Sequence, residues 1–248
     1  MGRHQRSRAS DGLAYGVGIA LLIGMAVVTI AVMRRPKLVV PKVMIGTNDE
    51  VYYEHAATLE NATALGHALQ AMGYFRDQGA AVLLSRNKGG TVVSFVLAGH
   101  QWDNPAATIS FEEIGRRVAG VVGGFPIQVN LVDTAWSVQK ALQIGKTPIG
   151  SKDEIYYLGT ATKEDAEALG RALRAAGYLR DLGVSVAVSK GDETCLGFVV
   201  GEGVWQQTEA VERFENLARQ VASSIGGLPV RVRLLSPQMT IEKEDLVR

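Results

Sequence analysis

The side chains able to carry catalysis or hold a metal are few in this chain. The histidines are His4, His55, His67 and His100, and the one cysteine is Cys195. No spacing of His, Cys and carboxylates matches a metal site, and no phosphate-binding, dinucleotide-binding or nucleophile-elbow motif occurs. The acidic pair Asp49-Glu50 occurs again as Asp153-Glu154. Adjacent carboxylates opening a strand point to opposite faces, so neither pair is an acid/base couple by itself. Each pair reads as a strand start with a turn-forming aspartate, or as the rim of a binding site. The tyrosine pairs Tyr52-Tyr53 and Tyr156-Tyr157 would send one ring to the helix side of a sheet and one to its open side. The open-side ring could stack on a ligand or on another part of the chain. Trp102 and Trp205 each stand before a helix, as a core plug or as a contact patch. These ten residues are the binding candidates. No catalytic residue, metal or cofactor is expected.

The pairs recur because the chain is duplicated. Residues 44–85 and 148–189 are identical at 23 of 42 positions. After a one-residue slip, 91–136 and 194–239 agree at 15 of 46. Internal repetition at this period defines the architecture before any local feature does. It also weakens the histidines as a shared site, because positions 159, 171 and 203, which match His55, His67 and His100, hold Gly, Arg and Gly. Ser85 and Ser189 do recur, without a recurring base to activate them.

The elements that position these residues follow from periodicity. A strand over Glu50–His55 precedes Thr58, an N-cap, and Thr162 with Asp165 forms a T-x-x-D capping box in the second copy. Ala62, Leu65, Ala68, Leu69 and Met72 mark one face of a helix over 59–72, which Ala166 to Ala176 reproduce over 163–176. Gly73 and Gly177 suit the left-handed residue after a helix. Gly66 and Gly170 sit inside these helices at a cost of about 1 kcal/mol each relative to Ala, which close approach to a sheet would offset. Hairpins follow at 80–98 and 184–200, then helices over 108–122 and 208–224, then strands at Ile127–Val132 and Val230–Leu235. Arg76-Asp77 and Arg180-Asp181 are expected to form local ion pairs.

Each copy therefore has the order β-α-β-β-α-β, which predicts a ferredoxin-like, split βαβ module. The expected fold class is α+β, an N-terminal transmembrane helix followed by two tandem ferredoxin-like modules. The divisions are a basic tail (1–11), a membrane helix (12–33), a linker (34–43), module one (44–136), a linker (137–147), module two (148–240) and a tail (241–248). The span over 12–33 is 22 residues without a charge, ended by Arg34-Arg35. It is long enough to cross a bilayer, and its abrupt basic end favours an anchor over a cleaved signal peptide. Bases on both flanks leave the side of the soluble part undetermined. The copies carry net charges of −4 and −2, which argues against nucleic-acid binding.

The motif G-x-x-D-E-[VI]-Y-Y, followed by A-L-G-x-A-L-x-A-x-G-Y, resembles that of uncharacterised bacterial proteins that carry such a module behind a membrane helix. The resemblance implies a single-pass protein, in the bacterial inner membrane, without an assigned activity. The expected partner through 12–33 is the lipid bilayer. The expected function is non-enzymatic binding or scaffolding for a protein partner. Two alternatives are a small molecule held between the copies and an enzyme built on His55 and His100.

Overall fold

Among the described residues each strand pairs with the strands next to it in the chain. The computed structural model describes residues 40–248. Eleven strands form one mixed sheet in sequential order: β1 (Lys42–Ile45), β2 (Asp49–His55), β3 (Ala81–Asn87), β4 (Gly90–Val96), β5 (Ile127–Val132), β6 (Val138–Ile149), β7 (Asp153–Gly159), β8 (Ser185–Lys190), β9 (Thr194–Val199), β10 (Val230–Leu235) and β11 (Ile241–Val247). Four helices, α1 (Leu59–Ala71), α2 (Pro105–Ala119), α3 (Lys163–Ala175) and α4 (Thr208–Val221), connect the parallel neighbours β2–β3, β4–β5, β7–β8 and β9–β10. The remaining neighbours are antiparallel.

This overturns the tandem ferredoxin-like expectation. In a split βαβ module a third strand separates the two strands that a helix joins. Here each helix returns the chain to the adjacent position, so the same element order builds a sequential sheet. Residues 137–147 explain how it stays continuous. All of them but Ser137 belong to β6, a 12-residue strand whose first part pairs with β5 and whose last part pairs with β7. Residues 241–247 likewise form β11 against β10. The expected membrane span over 12–33 lies outside the described residues. Among the described residues no helix is long and apolar enough to cross a membrane.

The helices divide between the two faces of the sheet. Register places Val51, Val82, Phe95, Leu131 and Leu142 on the face that α1 and α2 cover. Continued through β6, that face carries Leu158, Ala187, Gly197 and Arg233, while Ile155, Val186 and Phe198 point to the other side, under α3 and α4. Glycine sets how close the helices come. A Cβ on Gly66 of α1 would stand 2.2 Å from Ile45 Cδ1, and one on Gly170 of α3 would stand 2.5 Å from Ile149 Cδ1. α3 starts with the expected capping box of Thr162 with Asp165, and at the expected N-cap Thr58 of α1 a capping box with Asn61 forms as well.

Candidate functional site

The recurrent G-x-x-D motif is used to lock two loops together. Asp49 is 1 % exposed, and its carboxylate accepts the backbone N–H groups of Asp77, Gln78, Gly79 and Ala80 at 2.7–3.1 Å. Asp77, at φ +62°, answers by accepting the N–H groups of Thr47 and Asn48 through Oδ1 at 2.7 and 2.6 Å. Asp153 and Asp181 repeat the arrangement, with Ser151 Oγ also donating to Asp181 at 2.6 Å. Gly46 completes the lock, since at φ +73° a Cβ there would stand 2.9 Å from Asp77 Oδ1. Burial works to raise the Asp153 pKa, but the amides of Val184, Asp181, Gly183 and Leu182 outweigh it and hold the carboxyl below its usual range. Asp181 is lowered to about 2, first by the Ser151 hydroxyl and then by the amide of Lys152. The aspartates thus lie in built loops, and the expected Arg-Asp ion pairs give way to other contacts. Arg76 and Arg180 instead donate from Nε to the carbonyls of Gly73 and Gly177 at 2.7 and 2.5 Å.

Glu50 and Tyr52 come together, as do Glu154 and Tyr156. Tyr52 donates to Glu50 at 2.5 Å and Lys42 pairs with the same carboxylate at 2.6 Å. Tyr156 donates to Glu154 at 2.8 Å, and Lys146 pairs with it at 2.9 Å. The two tyrosines then meet different surroundings. Tyr156 packs edge-on against Phe125 from the first copy, with centroids 5.6 Å apart, whereas Tyr52 meets Trp136 at 5.7 Å. Tyr53 and Tyr157 pack against the two cores on the helix sides, as do Trp102 and Trp205.

The histidines do not assemble a relay. His55 Nδ1 lies 3.1 Å from Ser85 Oγ and 3.4 Å from Glu54 Oε1. A nucleophile–base–carboxylate relay needs these two partners on different ring nitrogens. His100 lies outside this group, exposed and against Trp102. Among the described residues no group of three or more His, Cys, Asp or Glu could hold a metal ion.

The main junction between the copies centres on α2. One side of this helix faces its own sheet, where a Cβ on Gly115 would stand 2.3 Å from Ile144 Cδ1. Its other side, carrying Ile109, Glu112, Glu113 and Arg116, lies over the face of β7–β10 and the turn that follows. The sheet therefore folds around α2. Arg116 and Arg117 donate to the carbonyls of Met239 and Gln238 at 3.4 and 3.2 Å. Leu158, Ala187 and Leu235 join the first core. A cavity of about 40 Å³ remains between helix and strands, lined by polar groups of Glu112, Arg116, Ser189, Cys195 and Arg233. Glu113 pairs with Arg117, and Arg116 Nε is buried without a hydrogen-bond partner. Burial raises the Glu112 pKa against the opposing pull of Arg116, Arg233 and Lys140, and pushes the Cys195 thiol up to about 11.

The corresponding face of the first copy has a different setting. Aligned positions turn Leu158, Ala187, Cys195, Arg233 and Met239 into Glu54, Leu83, Val92, Asn130 and Trp136. Register puts Glu54, Leu83, Val92 and Asn130 on one face, opposite α1 and α2, where Leu83, Val92 and Trp136 remain partly exposed. Leu83, Val92, Asn130 and Trp136 were absent from the sequence-based candidates. Their signal was the alignment itself, because they match the residues that α2 covers. Compared with protein-family models, curated proteins and solved structures, the chain matches none.

Proposed function

We propose that this chain is a non-catalytic binding protein, a scaffold whose β2–β5 face receives a helix from a protein partner. One observation carries this reading: the equivalent face of β7–β10 is already covered by a helix, α2, within the same chain. A surface built from the same repeated strands and still partly exposed is suited to the same use. The recurrent aspartates contribute to loop locks, Tyr53 and Tyr157 to core packing, and the pairs Glu50–Tyr52 and Glu154–Tyr156 each engage a lysine. A small molecule between the copies is favoured less by the geometry. A cavity of about 40 Å³ has room for a few waters, whereas ligand pockets are on the order of 300–1,000 Å³.

The test is a fluorescence-anisotropy screen of the full chain against amphipathic helical peptides of varied charge. At least one should bind, and Val92→Asp should abolish binding while leaving the circular dichroism spectrum unchanged. Failure of every peptide, or binding indifferent to Val92→Asp and Leu83→Asp alike, would defeat the proposal.

A further inference from the structure

We infer that the occupant of the β2–β5 face is a basic amphipathic helix of a partner protein. This rests on the helix-docking reading above and adds the chemistry of the occupant. The junction inside the chain supplies the comparison. There, the acidic side chains Glu112 and Glu113 of α2 approach a face that contributes Arg233 and the apolar Leu158. The β2–β5 face has lost that base and gained an acid, with Asn130 at the position of Arg233 and Glu54 at the position of Leu158. Its other base, Lys42, is engaged with Glu50 at 2.6 Å. The Glu112 and Glu113 carboxylates of a helix like α2, which also carries Arg116 and Arg117, would meet a carboxylate there with no arginine on the face opposite them. A helix with lysines or arginines at those positions would meet Glu54, while its apolar stripe would cover Leu83, Val92 and Trp136.

The same comparison disfavours a second copy of the chain as occupant. In a head-to-tail assembly α4 would take the place of α2. Its matching residues are Glu212 for Ile109, Glu215 for Glu112, Asn216 for Glu113 and Arg219 for Arg116. That surface replaces an apolar contact by an acid and would bring Glu212 and Glu215 toward a face that already carries Glu54.

Two labelled peptides with the sequence of residues 104–122 test the inference on the full chain, one native and one carrying Glu112→Lys and Glu113→Lys. The lysine peptide should bind at least tenfold more tightly, and its advantage should shrink as salt rises from 50 to 500 mM, following charge screening. Glu54→Leu should reduce that advantage, and adding Asn130→Arg should turn the preference toward the native peptide. Should the double variant misfold, the salt series and Glu54→Leu alone still decide. Equal binding of both peptides, abolished by Val92→Asp, would leave helix docking standing and refute the basic occupant. Binding of neither would remove both. Binding that appears only when residues 1–39 are deleted would assign the face to the chain's own N-terminal residues. Sedimentation showing self-association that the peptide competes away would assign it to a second copy. Either result overturns the inference.

Discussion

Asp153 shows how a repeated acidic residue can act on stability. A carboxylate that accepts several backbone donors is stabilised in its charged form, and its loss leaves those donors unmatched in a buried site. Asp153→Asn is expected to cost about 2–3 kcal/mol, read as a shift in the urea midpoint. The sign with pH follows from the lowered folded-state pKa. The stabilisation is complete above the unfolded value, roughly 3.9, and disappears as pH falls through the lower folded value. The urea midpoint should therefore be flat in this respect from pH 7 to 5 and drop below about pH 4, with a shallower drop in Asp153→Asn. An equal acid limb in the variant would show that Asp153 contributes nothing to it. The sequence shows that Asp49 and Asp153 recur, and local pattern alone suits a strand start or a binding rim. Their acceptor role depends on loops 28–31 residues away. The recurrence of Asp77 and Asp181 at one fixed separation from Asp49 and Asp153 is the signal of the lock, which the adjacent Arg76 and Arg180 mask by suggesting an ion pair.

Helix and strand positions were legible where periodicity was strong, and the glycines inside α1 and α3 pointed to close helix–sheet contact. Gly66→Ala should destabilise by about 1–3 kcal/mol even though Ala is the better helix former, because the added carbon overlaps Ile45. Combining it with Ile45→Ala should cost less than the sum of the two changes, which a double-mutant cycle would measure. Additive costs would rule out this contact as the cause. Strand neighbours were a different matter. Split and sequential sheets share the order β-α-β-β-α-β, and long-range pairing alone separates them. The alternation of Val138, Lys140, Leu142 and Ile144 was a strand signal in residues assigned to a linker. At the same level, the Cys195 thiol lies beneath α2 and reports on that helix. Native labelling by a disulfide reagent should be slow. Ile109→Ala should speed it about tenfold if the helix lifts from β9 before the thiol reacts. An unchanged rate would mean that the thiol reacts without movement of α2.

At the scale of the molecule, one sheet serves both copies, with α2 enclosed by its fold. A fragment of residues 137–248 keeps α3 and α4 but loses α2, so Leu158, Ala187 and Leu235 become exposed to water. The fragment should bind a hydrophobic dye strongly and unfold at lower urea than the full chain, whereas equal stability and no dye binding would contradict the coupling. The shared strand has a further consequence. β11 has the register of the first part of β6, down to the shift next to its last partner, and β1 has the register of the last part. The two edges of the sheet are therefore the two halves of one internal seam. The chain is extensible in principle: a third unit spliced at that seam would add five strands and two helices, β2–β6 with α1 and α2 being one unit. A unit added after β11 would lie under the outer side of α4, so Glu212→Ile, which restores the apolar contact that Ile109 makes on α2, is the first change that splicing calls for.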